Sequence, residues 1–173
     1  MAQTFELKKL SADGVPAALE KAQRYRLLNE PQEAESICLD ILDVPSATPA
    51  ARAQARVTLI LALSDQLPED LSCYDEAMQV INEMGDYERP YYEGILCERR
   101  AKAHHRSNAL FAKNIAYDWF RRAMTCFETA MASPARPPGN EDAILRWNTC
   151  ARVLMRHPEL EPGVEERGET LLE

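Results

Sequence analysis

Apolar residues recur along this chain at intervals of three and four positions, which is the spacing of helices rather than of strands. The first such segment covers residues 13–28 and brings Ala18, Leu19, Ala22, Tyr25 and Leu28 broadly to one side. It begins in the manner of a helix, with Asp13 as a candidate N-cap and Pro16 in the first turn. The pattern therefore predicts an α-helix from about residue 13 to residue 28.

Six further segments are predicted to be helical. They cover approximately residues 31–44, 49–66, 71–84, 90–106, 113–132 and 141–156. Residues 133–139 contain three prolines and a glycine and form the clearest linker between two of them. The total of 173 residues is the length of one ordinary domain. We therefore expect an all-α protein in which three helical hairpins are followed by one capping helix.

Small and large apolar residues alternate at fixed positions in the third hairpin and in the last helix. Ala123, Phe127 and Ala130 share one helix face, and Trp147 stands four residues before Ala151 on the next helix. Small residues faced by aromatic ones allow antiparallel helices to pack closely. This pattern resembles the tetratricopeptide repeat (TPR), whose signature pairs W-x2-L-G-x2-Y with A-x3-F.

The resemblance implies a right-handed α-α superhelix, a TPR-like solenoid, over residues 13–157. It also implies a non-catalytic function, because such a repeat domain acts as an adaptor or scaffold that binds a peptide or a partner surface. Residues 1–12 are then an N-terminal arm. Residues 158–173 carry six acidic side chains and form an acidic tail that is either disordered or a short docked helix.

In this registration the first helix of each hairpin and the last helix line a concave groove. The residues expected on its exposed surface are Leu19, Gln23, Arg26, Arg56, Leu59, Leu63, Lys102, His105, Arg106, Asn148 and Arg152. Glu98 and Arg156 are expected on the same wall. Residues 99–136 contain 8 basic and 2 acidic side chains, so the groove would be partly basic and would attract an acidic peptide. The alternative is that these lysines and arginines are ordinary solvated side chains.

The overall charge and the cysteines exclude several other classes. A net charge of −8 argues against general nucleic-acid binding. The first residues contain no run suited to a signal peptide and no segment is long enough to span a bilayer, so a cytoplasmic protein is expected. The five cysteines include no C-x2-C pair, so neither a metal nor any other cofactor is expected, and all five are expected to be reduced core or near-core thiols.

Two alternatives to an adaptor stay open. Arg99 and His104 have the Arg-x4-His spacing of the HEPN family of small helical ribonucleases, although one such match is expected by chance. Leu59 and Leu63 could instead pack against a second copy of the chain to form a homodimer. No phosphate-binding loop, G-x-S-x-G elbow or H-E-x-x-H helix is present, and the chain is expected not to be an enzyme.

Overall fold

The computed structural model describes residues 5–107, 109 and 111–162, and every described element is a helix. The seven α-helices of this part of the chain are α1 (Val15–Leu27), α2 (Pro31–Leu42), α3 (Pro49–Gln66), α4 (Cys73–Ile81), α5 (Glu88–Arg106), α6 (Ala112–Ala132) and α7 (Asp142–Arg156). Two short 3-10 helices cover Ala12–Gly14 and Pro158–Leu160. The prediction of an all-α protein is confirmed.

The helices group into two compact units. Unit 1 ends at Gln66 and contains α1 to α3, and unit 2 begins at Leu67 and contains α4 to α7. The division falls inside the predicted second hairpin. Helix α3 packs against α1 and α2, whereas α4 packs against α5. Of the three predicted hairpins, the first (α1 with α2) and the third (α5 with α6) therefore pack as pairs, whereas the two helices of the second belong to different units.

The turn between α1 and α2 explains how unit 1 begins. Asn29 has a left-handed backbone with φ of 62°. The N–H of Glu30 donates to the carbonyl of Tyr25 at 2.9 Å, and the N–H of Asn29 donates to that of Arg26 at 3.1 Å. This pair of hydrogen bonds is a Schellman motif, which satisfies the last carbonyls of α1. Pro31 then starts α2 at a position where its missing N–H is not needed.

The core of unit 1 consists of the apolar faces of its three helices. Val15, Leu19, Ile41, Val44 and Ala55 form one buried cluster. The side chain of Arg52 closes the loop after α2, because its two terminal nitrogens donate to the carbonyls of Leu42 and Val44 at 2.9 and 2.5 Å. The loop that leads into α3 is thereby held against the helix that precedes it.

The core of unit 2 lies mainly between α5 and α6. Ala123, Phe127 and Ala130 are completely inaccessible, as the sequence pattern predicts. The ring of Phe127 packs directly against Gly94 of α5. Ala151 of α7 was expected to be buried as well, but it is only half-buried. Helix α7 instead buries the face that carries Ala143 and Cys150.

Parts of the two predicted terminal segments are described. Residues 158–173, the expected acidic tail, begin with the 3-10 helix Pro158–Leu160, and Leu160 is fully buried. The remainder of this segment, from residue 163, and residues 1–4 of the expected arm lie outside the described residues. Among the described helices, none has the length and apolar character needed to cross a membrane.

Candidate functional site

The residues expected to line a groove are divided between the two units. Leu19, Gln23, Arg26, Arg56, Leu59 and Leu63 belong to unit 1, and Lys102, His105, Arg106, Asn148 and Arg152 belong to unit 2.

The three apolar members of the predicted groove are core residues. Leu19, Leu59 and Leu63 retain only 7%, 3% and 2% of their exposure. The prediction that they line an exposed surface is wrong, because all three side chains are buried. Their burial stabilises the fold and leaves them out of reach of a ligand. The same burial removes Leu59 and Leu63 from any contact with a second copy of the chain.

The polar members in unit 1 differ in their surroundings. Nε of Arg26 forms an ion pair with Oδ2 of Asp65 at 2.8 Å, which ties α1 to α3. Gln23 is exposed and Arg56 is half-buried. Arg26 is therefore already engaged by a carboxylate of its own unit, which lowers its attraction for an acidic peptide.

In unit 2, a buried carboxylate organises the predicted basic wall. Glu98 of α5 is completely inaccessible, although it was expected on the exposed wall. Its two oxygens accept hydrogen bonds from Nζ of Lys102 and, at 3.3 Å, from Nη1 of Arg146 on α7. Burying a carboxylate is costly unless it is paired, and these two cations provide the pairing. Lys102 thus serves an internal ion pair.

A second contact joins α5 to the residue that follows α7. The rings of His105 and His157 meet edge to face with centroids 4.6 Å apart. Together with the pair of Glu98 and Arg146, this contact shows that α5 and α7 run side by side in the same direction. Nδ1 of His157 also lies 3.0 Å from Oε1 of Glu159. A hydrogen bond from its own backbone and one from His157 lower the pKa of Glu159.

The outer side of α7 carries the exposed residues of the predicted site. Its exposed or half-exposed residues at helical spacing are Leu145, Asn148, Arg152, Met155 and Arg156, which we call the α7 face. Leu145 is 63% exposed and Met155 is 80% exposed. Asn148 and Arg152 thus lie on one side of α7, and that side also holds two large apolar side chains. Arg106, at the end of α5, is exposed too.

A separate cluster of reactive side chains lies between α5 and α6. The sulfur atoms of Cys97 and Cys126 and a carboxylate oxygen of Glu93 all lie within 4.8 Å of one another. We call these three residues the thiol cluster. Nη2 of Arg122 forms an ion pair with Oε1 of Glu93 at 2.9 Å.

Two aromatic rings and two arginines pack together near this cluster, and one of these arginines, Arg122, pairs with Glu93. Tyr74 and Trp119 meet edge to face at 5.4 Å, and the guanidinium of Arg100 lies over both rings at 4.8 and 4.4 Å. Arg122 lies 5.2 Å from the ring of Trp119 on the same helix. The two arginines therefore pack on aromatic rings, an arrangement that favours their cations.

The five cysteines are free, as predicted, and four of them are buried while Cys126 is half-buried. Burial is the main cause that raises the pKa of Cys38 and of Cys150 to about 12. A hydrogen bond with Cys126, followed by burial, raises the pKa of Cys97. The same hydrogen bond lowers the pKa of Cys126. Cys126 is therefore the partner that ionises first.

Arg99 and His104, the pair expected in a ribonuclease, are both half-buried in α5. Residues five apart in an α-helix point about 140° from one another. Burial, and then the charge of Arg100, lowers the pKa of His104. The cation that lowers the pKa of His104 is thus Arg100 and not Arg99.

Several residues of these sites were missed by the sequence analysis. Glu93 and Cys97 are four residues apart, which is the spacing of neighbours on a helix. Many surface pairs have the same spacing, so it could not identify this pair as a site. Cys126 and Arg146 join their partners only through the packing of separate helices. Leu145 was overlooked because an exposed leucine cannot be told from a buried one by residue type.

No protein-family model, no curated protein and no solved structure gives a match to this chain.

Proposed function

We propose that this protein is a non-catalytic interaction module, an adaptor or scaffold, and that its α7 face binds an acidic segment of a partner protein with interspersed apolar side chains. The observation that carries this proposal is the composition of that face. Two cations, Arg152 and Arg156, stand among two large apolar side chains, Leu145 and Met155, all exposed on one side of one helix. Exposed apolar side chains rimmed by polar ones are typical of interaction sites.

The positive charge of the α7 face favours an acidic partner. Arg152 and Arg156 form no ion pair with any described residue, whereas the neighbouring Lys102 and Arg146 are engaged by Glu98. Uncompensated cations attract carboxylates and set both the rate and the specificity of association. Burial of Leu145 and Met155 against apolar side chains would supply the part of the affinity that does not depend on salt.

A TPR-like superhelix is part of the same proposal. The arrangement within unit 2 supports it, because α7 packs against α6 and also lies beside α5 in the same direction. That is the relation of a following first helix to the hairpin before it. The burial of Ala123, Phe127 and Ala130 at the small and aromatic positions of the repeat signature supports it further.

The test uses a synthetic fluorescent peptide of alternating Glu and Leu residues and a matched peptide in which Gln replaces every Glu. We expect fluorescence anisotropy to rise only with the acidic peptide and binding to weaken as salt rises. Arg152→Glu should weaken binding by about tenfold, because it replaces an attraction of about 0.5–1 kcal/mol by a similar repulsion. Arg121→Glu is the matched control, since Arg121 is exposed on α6 and lies outside the α7 face.

Two results would contradict the proposal. One is equal binding of both peptides, or an equal effect of both substitutions, which would make the basic residues ordinary solvated side chains. The other is a dimer in sedimentation velocity that Met155→Asp converts to a monomer. That result would assign the α7 face to a second copy of the chain instead of an acidic segment.

A further inference from the structure

The three members of the thiol cluster are all of the kinds that bind metal ions. Glu93 and Cys97 stand one turn apart on α5, and Cys126 reaches them from α6. We propose that Glu93, Cys97 and Cys126 form a binding site for a thiophilic divalent cation, with Zn²⁺ as the ion that fits best. Two sulfur ligands select zinc over magnesium or calcium, which prefer oxygen alone.

The spacing of the ligand atoms suits such an ion. In tetrahedral zinc sites the metal lies about 2.3 Å from sulfur and about 2.0–2.2 Å from a carboxylate oxygen, so that ligand atoms lie about 3.5–3.8 Å apart. The atoms of the thiol cluster lie within 4.8 Å of one another. Rotation of the side chains brings the ligand atoms to the distances of a zinc site, so α5 and α6 need not move. Three protein ligands leave the fourth position for solvent, which enters past Glu93, whose side chain is 23% exposed, and past the half-buried Cys126.

Tyr74 adds a buried hydroxyl beside the thiol cluster. Its side chain is 8% exposed, and its hydroxyl makes no well-aligned hydrogen bond with a described residue. Burial and then Cys97, through its charge and a weak hydrogen bond, raise the pKa of Tyr74 to about 12, which places the hydroxyl next to that thiol. A buried polar group without a partner is destabilising by about 1–3 kcal/mol. A metal-bound thiolate at Cys97 would accept its hydrogen bond, as outer-shell groups do in metal sites.

The charges also balance. Two thiolates and one carboxylate around a divalent cation leave a net charge of −1, and Arg122 supplies the compensating positive charge. Its Nη2 contacts Oε1 of Glu93 at 2.9 Å, which leaves the second carboxylate oxygen for the metal. The side chain of Arg122 is 51% exposed, so it can adjust as the cation enters.

A disulfide between Cys97 and Cys126 is the competing chemistry. It would require an oxidant and would not involve the second carboxylate oxygen of Glu93, which the ion pair with Arg122 leaves available. The composition of the cluster therefore favours a cation, and the disulfide becomes an outcome of the test.

The experiment is a titration of Zn²⁺ into the full chain, reduced and freed of metal, in competition with a chromophoric chelator. We expect one equivalent to bind and to raise the melting temperature, as any ligand of the folded state does. Cys97→Ala and Cys126→Ala should each weaken binding more than about 100-fold, since even outer-shell partners typically contribute 10–100-fold. With Co²⁺ in place of Zn²⁺, sulfur-to-metal charge-transfer absorption should appear and should be lost in both variants.

Three further variants keep the proposal falsifiable. Glu93→Gln removes the charge of a side chain that is 23% exposed and should weaken binding by about tenfold or more while the chain stays folded by circular dichroism. Cys150→Ala removes a buried thiol outside the cluster and should leave binding unchanged. His157→Ala tests the other pair of metal-binding groups, His105 and His157.

The proposal is overturned if Zn²⁺ does not bind, or if His157→Ala abolishes binding while Cys126→Ala spares it. It is also overturned if the purified chain loses two alkylatable thiols at Cys97 and Cys126 without binding metal, which would make the pair a disulfide.

Discussion

Gly94 of α5 faces the ring of Phe127 of α6 so closely that a Cβ on this glycine would lie 2.6 Å from Cε1 and 2.8 Å from Cδ1 of the ring. Real Cβ atoms do not approach carbon atoms so closely. The absence of a side chain at residue 94 is therefore what allows the two longest helices of unit 2 to meet. Ala101, two turns later on the same helix, is a second small residue that is fully buried.

Gly94→Ala is expected to destabilise the fold although alanine is the better helix former. The gain in helix propensity is at most about 1 kcal/mol, whereas overpacking costs about 1–3 kcal/mol. Phe127 is fully buried and packs on Tyr91, so its ring cannot move aside freely. Urea unfolding should show a lower free energy of unfolding.

A double variant identifies the cause of that loss. In a Phe127→Leu background the ring is absent, so the further substitution Gly94→Ala should destabilise less than it does alone. Equal losses in both backgrounds would contradict the proposed contact between residue 94 and the ring.

Ala130→Leu tests the small positions of the repeat pattern. Ala130 is completely inaccessible, and a leucine there has no space to occupy. Overpacking of about 1–3 kcal/mol should lower the melting temperature of a chain of this size by about 2–12 °C. Ala132→Leu is the matched control, because Ala132 lies exposed at the end of the same helix. An unchanged melting temperature for Ala130→Leu would contradict the observed packing.

The positions of the helices could be predicted from the sequence because hydrophobic periodicity is local. Helix α3 shows what hydrophobic periodicity could not predict. Its central residues, from Leu59 to Leu63, are apolar on every side, so the pattern could not tell which face is exposed. The partners of α3 and α4 are likewise a matter of tertiary packing. For that reason the boundary at Gln66 and the burial of Leu59 and Leu63 were not predicted.

Glu98 illustrates the same limit for the candidate site. A glutamate among basic residues on a helix suggests a solvated surface, and its burial depends on Arg146, which lies 48 positions later in the chain. Conversely, Arg152 could be placed on an exposed face from helical spacing alone. Contacts within a helix can be predicted, whereas those that join separate helices require the fold.

Glu98→Gln is expected to destabilise unit 2. The substitution keeps the shape of the side chain but removes the negative charge that faces Lys102 and Arg146. Breaking a buried ion pair costs about 3–5 kcal/mol, and here the cost should be lower, about 1–3 kcal/mol, because both cations keep about a third of their exposure. Urea unfolding measures the loss, with Glu76→Gln on the exposed side of α4 as the control. A loss no larger than that of the control would contradict the role of Glu98.

The thiols are expected to differ in their rates of alkylation. Cys126 should react first in the folded protein, because it is half-buried and its hydrogen bond with Cys97 lowers its pKa. Cys38, Cys97 and Cys150 should react slowest, because all three are buried and their pKa values are raised, those of Cys38 and Cys150 to about 12. Peptide mass spectrometry after timed alkylation measures this order. After denaturation without reductant, all five should be labelled, and three labels or fewer would reveal a disulfide.

His104 should make the folded protein less stable in mild acid. Burial, and secondarily Arg100, lowers the pKa of this imidazole in the folded state below its ordinary value of 6.5. As pH falls through 6.5, the unfolded chain takes up a proton at residue 104 before the folded chain does, so the free energy of unfolding decreases. The decrease continues until pH falls below the pKa of the folded state, where both states are protonated.

His104→Gln removes this proton uptake and should therefore reduce the loss of stability between neutral and mildly acidic pH. His105 and His157 are retained in the variant, so their contributions cancel when the two urea-unfolding curves are compared at each pH. An NMR titration of the imidazole protons provides the direct measurement, in which the signal of His104 should titrate below 6.5. A midpoint at or above that value, or a variant as sensitive to acid as the parent protein, would show that the surroundings of His104 do not disfavour its charge.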